Sequence, residues 1–198
     1  MRFGVRLLTW LEPHLDRLYG ARKRILFAGL RGRVLEIGAG TGINRGYLPP
    51  EVEWLPLEPE VDLHESIRRR QPGVEVLTAP AEALPLPDAS VDGVICSLVL
   101  CSVTDPERAL REARRVLRPG GCLVFLEHVA ARPGTWLACL QRWIQPGWTW
   151  LTGGCHPDRR TEQTLHRAGF QRVELERFRT GLPIVSPHIV GRAWKGDR

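Results

Sequence analysis

Apolar residues recur every three or four positions over 3–30, with Phe3, Leu7, Leu8, Leu11, Leu15 and Leu18 forming one stripe and Pro13 interrupting it; the spacing predicts two short amphipathic helices. From Arg33 onward the period changes. Apolar runs at 34–37, 52–57, 74–77, 91–96 and 122–126 read as strands, and helical patterns over 61–70 and from Pro106 to Leu117 fall between them. Strands joined by helical crossovers pair in parallel, which predicts an α/β fold of the doubly wound, Rossmann-like kind with helices on both faces. Asp105 is placed to cap the helix that Pro106 begins, and Pro119, Gly120 and Gly121 stop it. Between Pro133 and Gly154 regularity fails, and Trp136, Trp143, Trp148 and Trp150 gather among Pro and Gly, which reads as an insertion or lid. A helix over 158–168 closed by Gly169, then strands near 173–178 and 184–194, complete the pattern. The expectation is a single domain over 1–198, with a helical lid at 1–30, a cofactor-binding core at 31–130, the Trp-rich insertion at 131–157 and a closing helix and strands at 158–198.

Composition narrows the class. Hydrophobic content of 43% and charged content of 25% are globular values that argue against disorder and against a membrane bundle. The net charge of +6 rests largely on Arg68, Arg69, Arg70, Arg111, Arg114, Arg115 and Arg118, which lie in helical patterns with intervening Glu; a solvated helix surface is expected rather than a nucleic-acid contact. Five cysteines, odd in number and without short paired spacing, predict reduced and mostly buried thiols in a cytoplasmic protein, with no disulfide framework and no zinc or other metal site. No apolar run approaches the roughly 18 residues that crossing a bilayer requires, so neither a signal peptide nor a membrane anchor is expected.

The chemistry concentrates after the first predicted strand, in a glycine loop that opens a predicted helix. Gly38, Gly40 and Gly42 alternate with Ala39 and Thr41, and such glycines let a chain turn sharply and bring its backbone against a ligand. A dinucleotide fingerprint spaces its third glycine differently, and no Gly-Lys-Ser/Thr is present to hold a triphosphate. Glu58, at the end of the second predicted strand, is placed to accept hydrogen bonds from both ribose hydroxyls of an adenosine-containing cofactor, a role that leaves NAD-dependent oxidoreduction open as an alternative.

Five blocks in order make a specific resemblance: Glu36 to Gly42 (Glu-Ile-Gly-Ala-Gly-Thr-Gly), Glu58-Pro59, Ala81 to Pro87, Ser90 to Asp92, and Val116 to Gly121. Together they resemble the class I S-adenosylmethionine-dependent methyltransferases over about residues 30–130. The resemblance implies a seven-stranded, mostly parallel sheet whose last strand is antiparallel, with S-adenosylmethionine as cofactor. It further implies that Glu36, Gly38, Ala39, Gly40, Thr41 and Gly42 hold the methionine moiety, that Glu58, followed by Pro59, binds the ribose, and that Ala81 with Glu82 flanks the adenine. Ser97 and Leu98 would border the sulfonium and the acceptor. Pro80 stands where an Asp commonly precedes the Ala-Glu pair.

The stretches 98–103, 127–130, 154–155 and 187–191 are similar to the small-thiol S-methyltransferase type, whose animal members carry an N-terminal membrane anchor not expected here. A small-molecule acceptor is implied, an alkyl thiol foremost, with a lipid-like, quinone or phenol acceptor as alternatives and a non-catalytic cofactor-binding module as the rival without turnover. Methyl transfer from a sulfonium depends mainly on alignment and desolvation, so a base is optional; His128 and His188 are the candidates for a base or orienting group. Cys101 and Cys155 read as packing residues. The tryptophan segment and the N-terminal helices suit a lid better than a peripheral membrane contact.

Overall fold

The computed structural model describes the backbone of residues 3–197 and the side chains of Trp10 and of Glu12 onward; the side chains of Phe3, Leu7, Leu8 and Leu11, predicted to line the first helix, lie outside the described residues. A strand that is apolar at nearly every position has to be covered on both faces, and the centre of the sheet is built that way. β1 (Arg33–Ile37) pairs in parallel with β2 (Glu53–Leu57) on one side and β3 (Val91–Ser97) on the other, and β3 pairs in parallel with β4 (Leu117–His128). The last two strands, β5 (Arg172–Arg179) and β6 (Pro187–Trp194), extend the sheet in the order β2-β1-β3-β4-β6-β5. β6 is antiparallel to both its neighbours, so the final strand alone runs against the rest.

The sheet has six strands rather than seven. The run at 74–77 forms a single bridge, Leu57 to Leu77, held by Leu77 N to Pro56 O (2.9 Å) and Glu58 N to Leu77 O (2.9 Å). Pro72 and Gly73 precede it and Pro80 follows shortly, leaving few residues with free geometry to extend a ladder.

Side chains alternate between the two faces of the sheet and so sort the helices into layers. Leu35, Ile37, Val94, Cys96, Leu123 and Phe125 pack with Ala109, Leu110, Ala113 and Val116 of α3 (Pro106–Val116) and with Leu165 of α5 (Thr161–Arg167). On the opposite face, Val34, Trp54, Ile95, Val124 and Leu126 pack with Tyr19, Leu26 and Phe27 of α1 (Phe3–Phe27) and Ile67 of α2 (His64–Arg70). Asp105 caps α3 as expected, its side chain accepting from Arg108 N at 2.9 Å.

Three helical expectations are corrected. The N-terminal segment is one helix of 25 residues that continues through Pro13, not two. Proline removes one helical hydrogen bond, but Pro13 is exposed and water can serve the freed carbonyl, while Tyr19, Leu26 and Phe27 anchor the buried side. The helix after the glycine loop shrinks to a 3-10 turn, Ile43–Tyr47, cut short by Pro49 and Pro50. The segment read as irregular, by contrast, contains a 17-residue helix, α4 (Trp136–Thr152), which runs through Pro146 and ends at a left-handed Gly153. Trp136, Trp143 and Trp150, seven residues apart, point outward with 74%, 81% and 85% exposure, while Leu137 and Gln141 face the core. Gln141 secures α4 by accepting from Ala131 N (2.7 Å) and donating to Ile184 O (2.8 Å).

Candidate active site

The glycine loop leaves β1 at the carboxyl edge of the sheet, where Gly38 N and Ala39 N donate to Leu57 O at 2.8 and 3.0 Å and pin it to the end of β2. Gly38, Gly40 and Gly42 all hold positive φ, +66°, +59° and +81°. A Cβ on Gly38 would lie 2.4 Å from Val99 Cγ2, so this glycine is required for packing; a Cβ on Gly40 would project into open space, so here the backbone is bare toward a ligand.

Glu58 closes the cradle. Its Oε2 accepts from Gly40 N at 2.8 Å and its Oε1 from Glu60 N at 3.0 Å. A carboxylate has about four acceptor directions, so roughly two remain for other donors. Burial pushes the Glu58 carboxyl pKa up against these two bonds, and Pro59 lies exposed beside it. Beneath the loop, Glu36 is fully buried: Asn44 Nδ2 donates to Oε1 at 2.6 Å and Trp54 Nε1 to Oε2 at 2.7 Å. Burial raises its pKa to about 7 despite both bonds. Above the loop, Glu12 of α1 accepts from the Thr41 hydroxyl and pairs with Arg70 of α2 at 3.1 Å, while Arg70 Nε donates to Thr41 O at 3.0 Å. These bonds tie α1 across the loop.

Ala81 is buried and Glu82 half-buried, with Asp105 N donating to Glu82 Oε1 at 2.9 Å. The segment that follows hangs on Arg115, which donates to Leu84 O, Leu86 O and Asp88 Oδ1 at 3.1, 2.8 and 2.7 Å.

Beyond Ser97, Leu98 adopts φ +58°, a conformation that costs a non-glycine residue about 1–3 kcal/mol and tends to persist at functional sites. Its N–H reaches Leu126 O at 2.8 Å, and Glu127 Oε1 accepts from Val99 N and Leu100 N at 3.0 and 3.1 Å, which holds the turn in place. His128 ends β4 with Nε2 3.1 Å from Cys155 Sγ and with a buried, unpartnered Nδ1. Cys101 joins them: one ligand-capable atom from each of Cys101, His128 and Cys155 lies within 4.8 Å of the others. The contact with Cys101, then burial, pushes the Cys155 thiol pKa up, so unaided it stays protonated.

His188 faces His128 across 6.2 Å between ring centroids. Its Nδ1 must donate to Ser186 O (3.0 Å), so Nε2 accepts from Tyr19 Oη (2.7 Å). Burial lowers its pKa to about 4 and keeps it neutral near pH 7. A cleft of about 610 Å³ opens beside it, lined by residues that include Val129, Ala131, Leu137, Phe178 and Arg179. It lies at the β4–β6–β5 edge rather than over the glycine loop.

Residues 35–125 match the family model of a methyltransferase domain. The chain is 36% identical over 206 residues to human thiol S-methyltransferase TMT1B, covering 96% of this chain and 84% of that protein. It is 39% identical over 180 residues to human thiol S-methyltransferase TMT1A, covering 85% and 74%. This chain belongs to the S-adenosylmethionine-dependent methyltransferases. A SAM-dependent methyltransferase structure from Thermotoga maritima superposes on it with a TM-score of 0.70 at 26% identity, covering 98% of each chain.

The methyltransferase uses S-adenosylmethionine and acts on a small acceptor, so the nicotinamide and non-catalytic alternatives fall away. Its bare Gly40 backbone and the spare acceptor directions of Glu58 fit an adenosyl cofactor at this crevice. The fold gathers Glu36, the glycine loop, Glu58 and Pro59 at one end of β1 and β2, and brings Ser97, Leu98 and His128 to the ends of β3 and β4. Glu12, Tyr19, Asn44, Trp54 and Val99 also build the site, and sequence reasoning missed them because no local motif links them to it. Cys101 and Cys155 lack the short spacing that marks a paired site, yet the fold closes the 53 residues between them. Among the described residues no helix is long and apolar enough to cross a membrane.

Proposed function

We propose that the methyltransferase alkylates a small thiol, with the cofactor's methionine end on the glycine loop and the acceptor at the ends of β3 and β4. The observation that carries this reading is the sequence shared with two thiol S-methyltransferases over most of the chain. At the acceptor edge His188 is neutral with both nitrogens engaged, while Glu127 gives Oε1 to loop amides and keeps a buried Oε2 without a partner. A thiol, with a pKa of about 8.5, ionises far more readily than an alcohol and needs no strong base. Both thiol S-methyltransferase relatives support the same class of acceptor.

S-adenosylmethionine, when bound, supplies a methyl group on a sulfonium whose departure as a neutral thioether needs no acid. Glu58 would offer its spare lone pairs to the ribose hydroxyls, Ala81 and Glu82 would flank the adenine, and Ser97 and Leu98 would border the reacting atoms. Glu36 shapes the loop from beneath, through Asn44 and Trp54. His128 meets the acceptor side, and His188 is a positioning residue held by Tyr19. The helix over the loop acts as a lid that excludes water, which favours alignment and desolvation over base catalysis.

The test is S-adenosylhomocysteine release across matched panels of alkyl thiols, alcohols, phenols, quinols, amines and lipids. Turnover of thiols is the expected result. Turnover of a phenol or lipid with thiols inert overturns the assignment.

A further inference from the structure

Cys101, His128 and Cys155 come from three separate segments, the turn after β3, the end of β4 and the loop after α4. That loop is fastened to the turn by His156 N to Cys101 O at 2.9 Å. Cys101 and His128 are buried and Cys155 is half-buried. A tetrahedral zinc ion, with Zn–S about 2.3 Å and Zn–N about 2.0 Å, holds neighbouring ligand atoms roughly 3.5–3.8 Å apart. The present 4.8 Å envelope therefore closes onto an ion by small side-chain rotations, and the 3.1 Å between His128 Nε2 and Cys155 Sγ is already within that reach. Trp148 Nε1 lies 3.4 Å from Cys155 Sγ, an outer N–H donor of the kind that steadies a metal-bound sulfur.

We propose that Cys101, Cys155 and His128 form a three-ligand site for a zinc-class ion whose open fourth position takes the acceptor thiolate. Two sulfurs and an imidazole are the donor set of catalytic zinc, where three protein ligands leave one place for substrate, and soft donors select zinc over magnesium or calcium. The position suits such a role, because Gly38 of the glycine loop abuts Val99, two residues before Cys101. A bound cation deprotonates a coordinating thiol outright, which supplies the nucleophile directly. The acceptor thiol loses its proton to solvent on binding. Its sulfur then forms the bond to the methyl carbon while that carbon's bond to the sulfonium sulfur breaks, and the electron pair stays on the departing thioether. The methylated product is neutral, a weaker ligand than a thiolate, and leaves. The acceptor half of this inference rests on the thiol reading above; the metal half does not.

The experiment is metal analysis and Co²⁺ titration of the whole chain, alone and with an alkyl thiol, without cofactor. The expected result is about one equivalent of cobalt with sulfur-to-cobalt charge transfer and tetrahedral d–d bands. Affinity should fall by at least about 100-fold in Cys101→Ser and in Cys155→Ser, because losing a direct ligand costs more than losing an outer partner. The bands should also shift when the thiol is added. Wild type that binds no more Zn²⁺ or Co²⁺ than the Cys101→Ser/Cys155→Ser double variant overturns the inference, as does a Cys101–Cys155 disulfide in place of metal. Bound cobalt indifferent to the thiol overturns the open position. Thiol turnover by chelator-stripped, metal-free protein sinks the metal site but leaves the thiol reading standing, whereas metal-loaded protein that methylates no thiol sinks the thiol reading.

Discussion

Glu36 keeps a carboxyl in a place with no solvent and two donors, and burial outweighs the donors. Its folded pKa of about 7 lies above the ordinary 4.5, so between those values the folded chain holds a proton that the unfolded chain has released. Stability contributed by this group is therefore lost as pH rises through that window, by on the order of 3 kcal/mol in full. Urea unfolding of the cofactor-free protein at about pH 5 and about pH 7.5 should show wild type losing more stability than Glu36→Gln across the interval; equal losses would mean the carboxyl is not desolvated as described. Individual residues were legible where the signal was local. The alternating glycines and Glu58 announce themselves because each belongs to a short motif at the end of a predicted strand. Glu12 and Tyr19 do not, since their partners Thr41 and His188 lie 29 and 169 residues away, and nothing in a surface helix distinguishes the polar positions that cross to a loop.

Among the elements, α4 shows how a hydrophobic pattern misleads. The largest apolar side chains of that segment face outward, so the stripe that periodicity seeks is replaced by Leu137 and Gln141 facing in, one of them polar. Pro146 and Gly147 then look like breakers, although they sit exposed on a helix already held at Thr135 and Gln141. Truncation should separate the two faces: Leu137→Ala is expected to cost about 2–5 kcal/mol, whereas Trp143→Ala, 81% exposed, should stay within about 0.5 kcal/mol. Denaturant midpoints of the two variants check this, and a large loss from Trp143→Ala would show that the tryptophan face is covered. Pro13 misled in the same manner, because the penalty that local rules assign to proline was outweighed by the anchoring of Tyr19, Leu26 and Phe27.

For the molecule entire, the cradle joins the glycine loop, the end of β2 and α1, so cofactor binding should register as global stability. At a free cofactor concentration of about 100 times Kd the stabilisation is about 2.7 kcal/mol, which for a chain of this size raises Tm by roughly 5–11 °C. At that same concentration Glu58→Ala should lose most of the shift, a charge-assisted hydrogen bond being worth about 1.5–3 kcal/mol; an undiminished shift would remove Glu58 from the site. Strand alternation and crossover helices, encoded over short spans, specified the doubly wound architecture, and the ordered motifs specified the reversed last strand and the cofactor class through the family resemblance they carry. The six-strand count, the continuity of α1, the α4 helix and the meeting of Cys101, His128 and Cys155 depended on packing. Their outcomes turn on which of several near-balanced local costs is offset by distant contacts, and no window along the chain contains both sides of that balance.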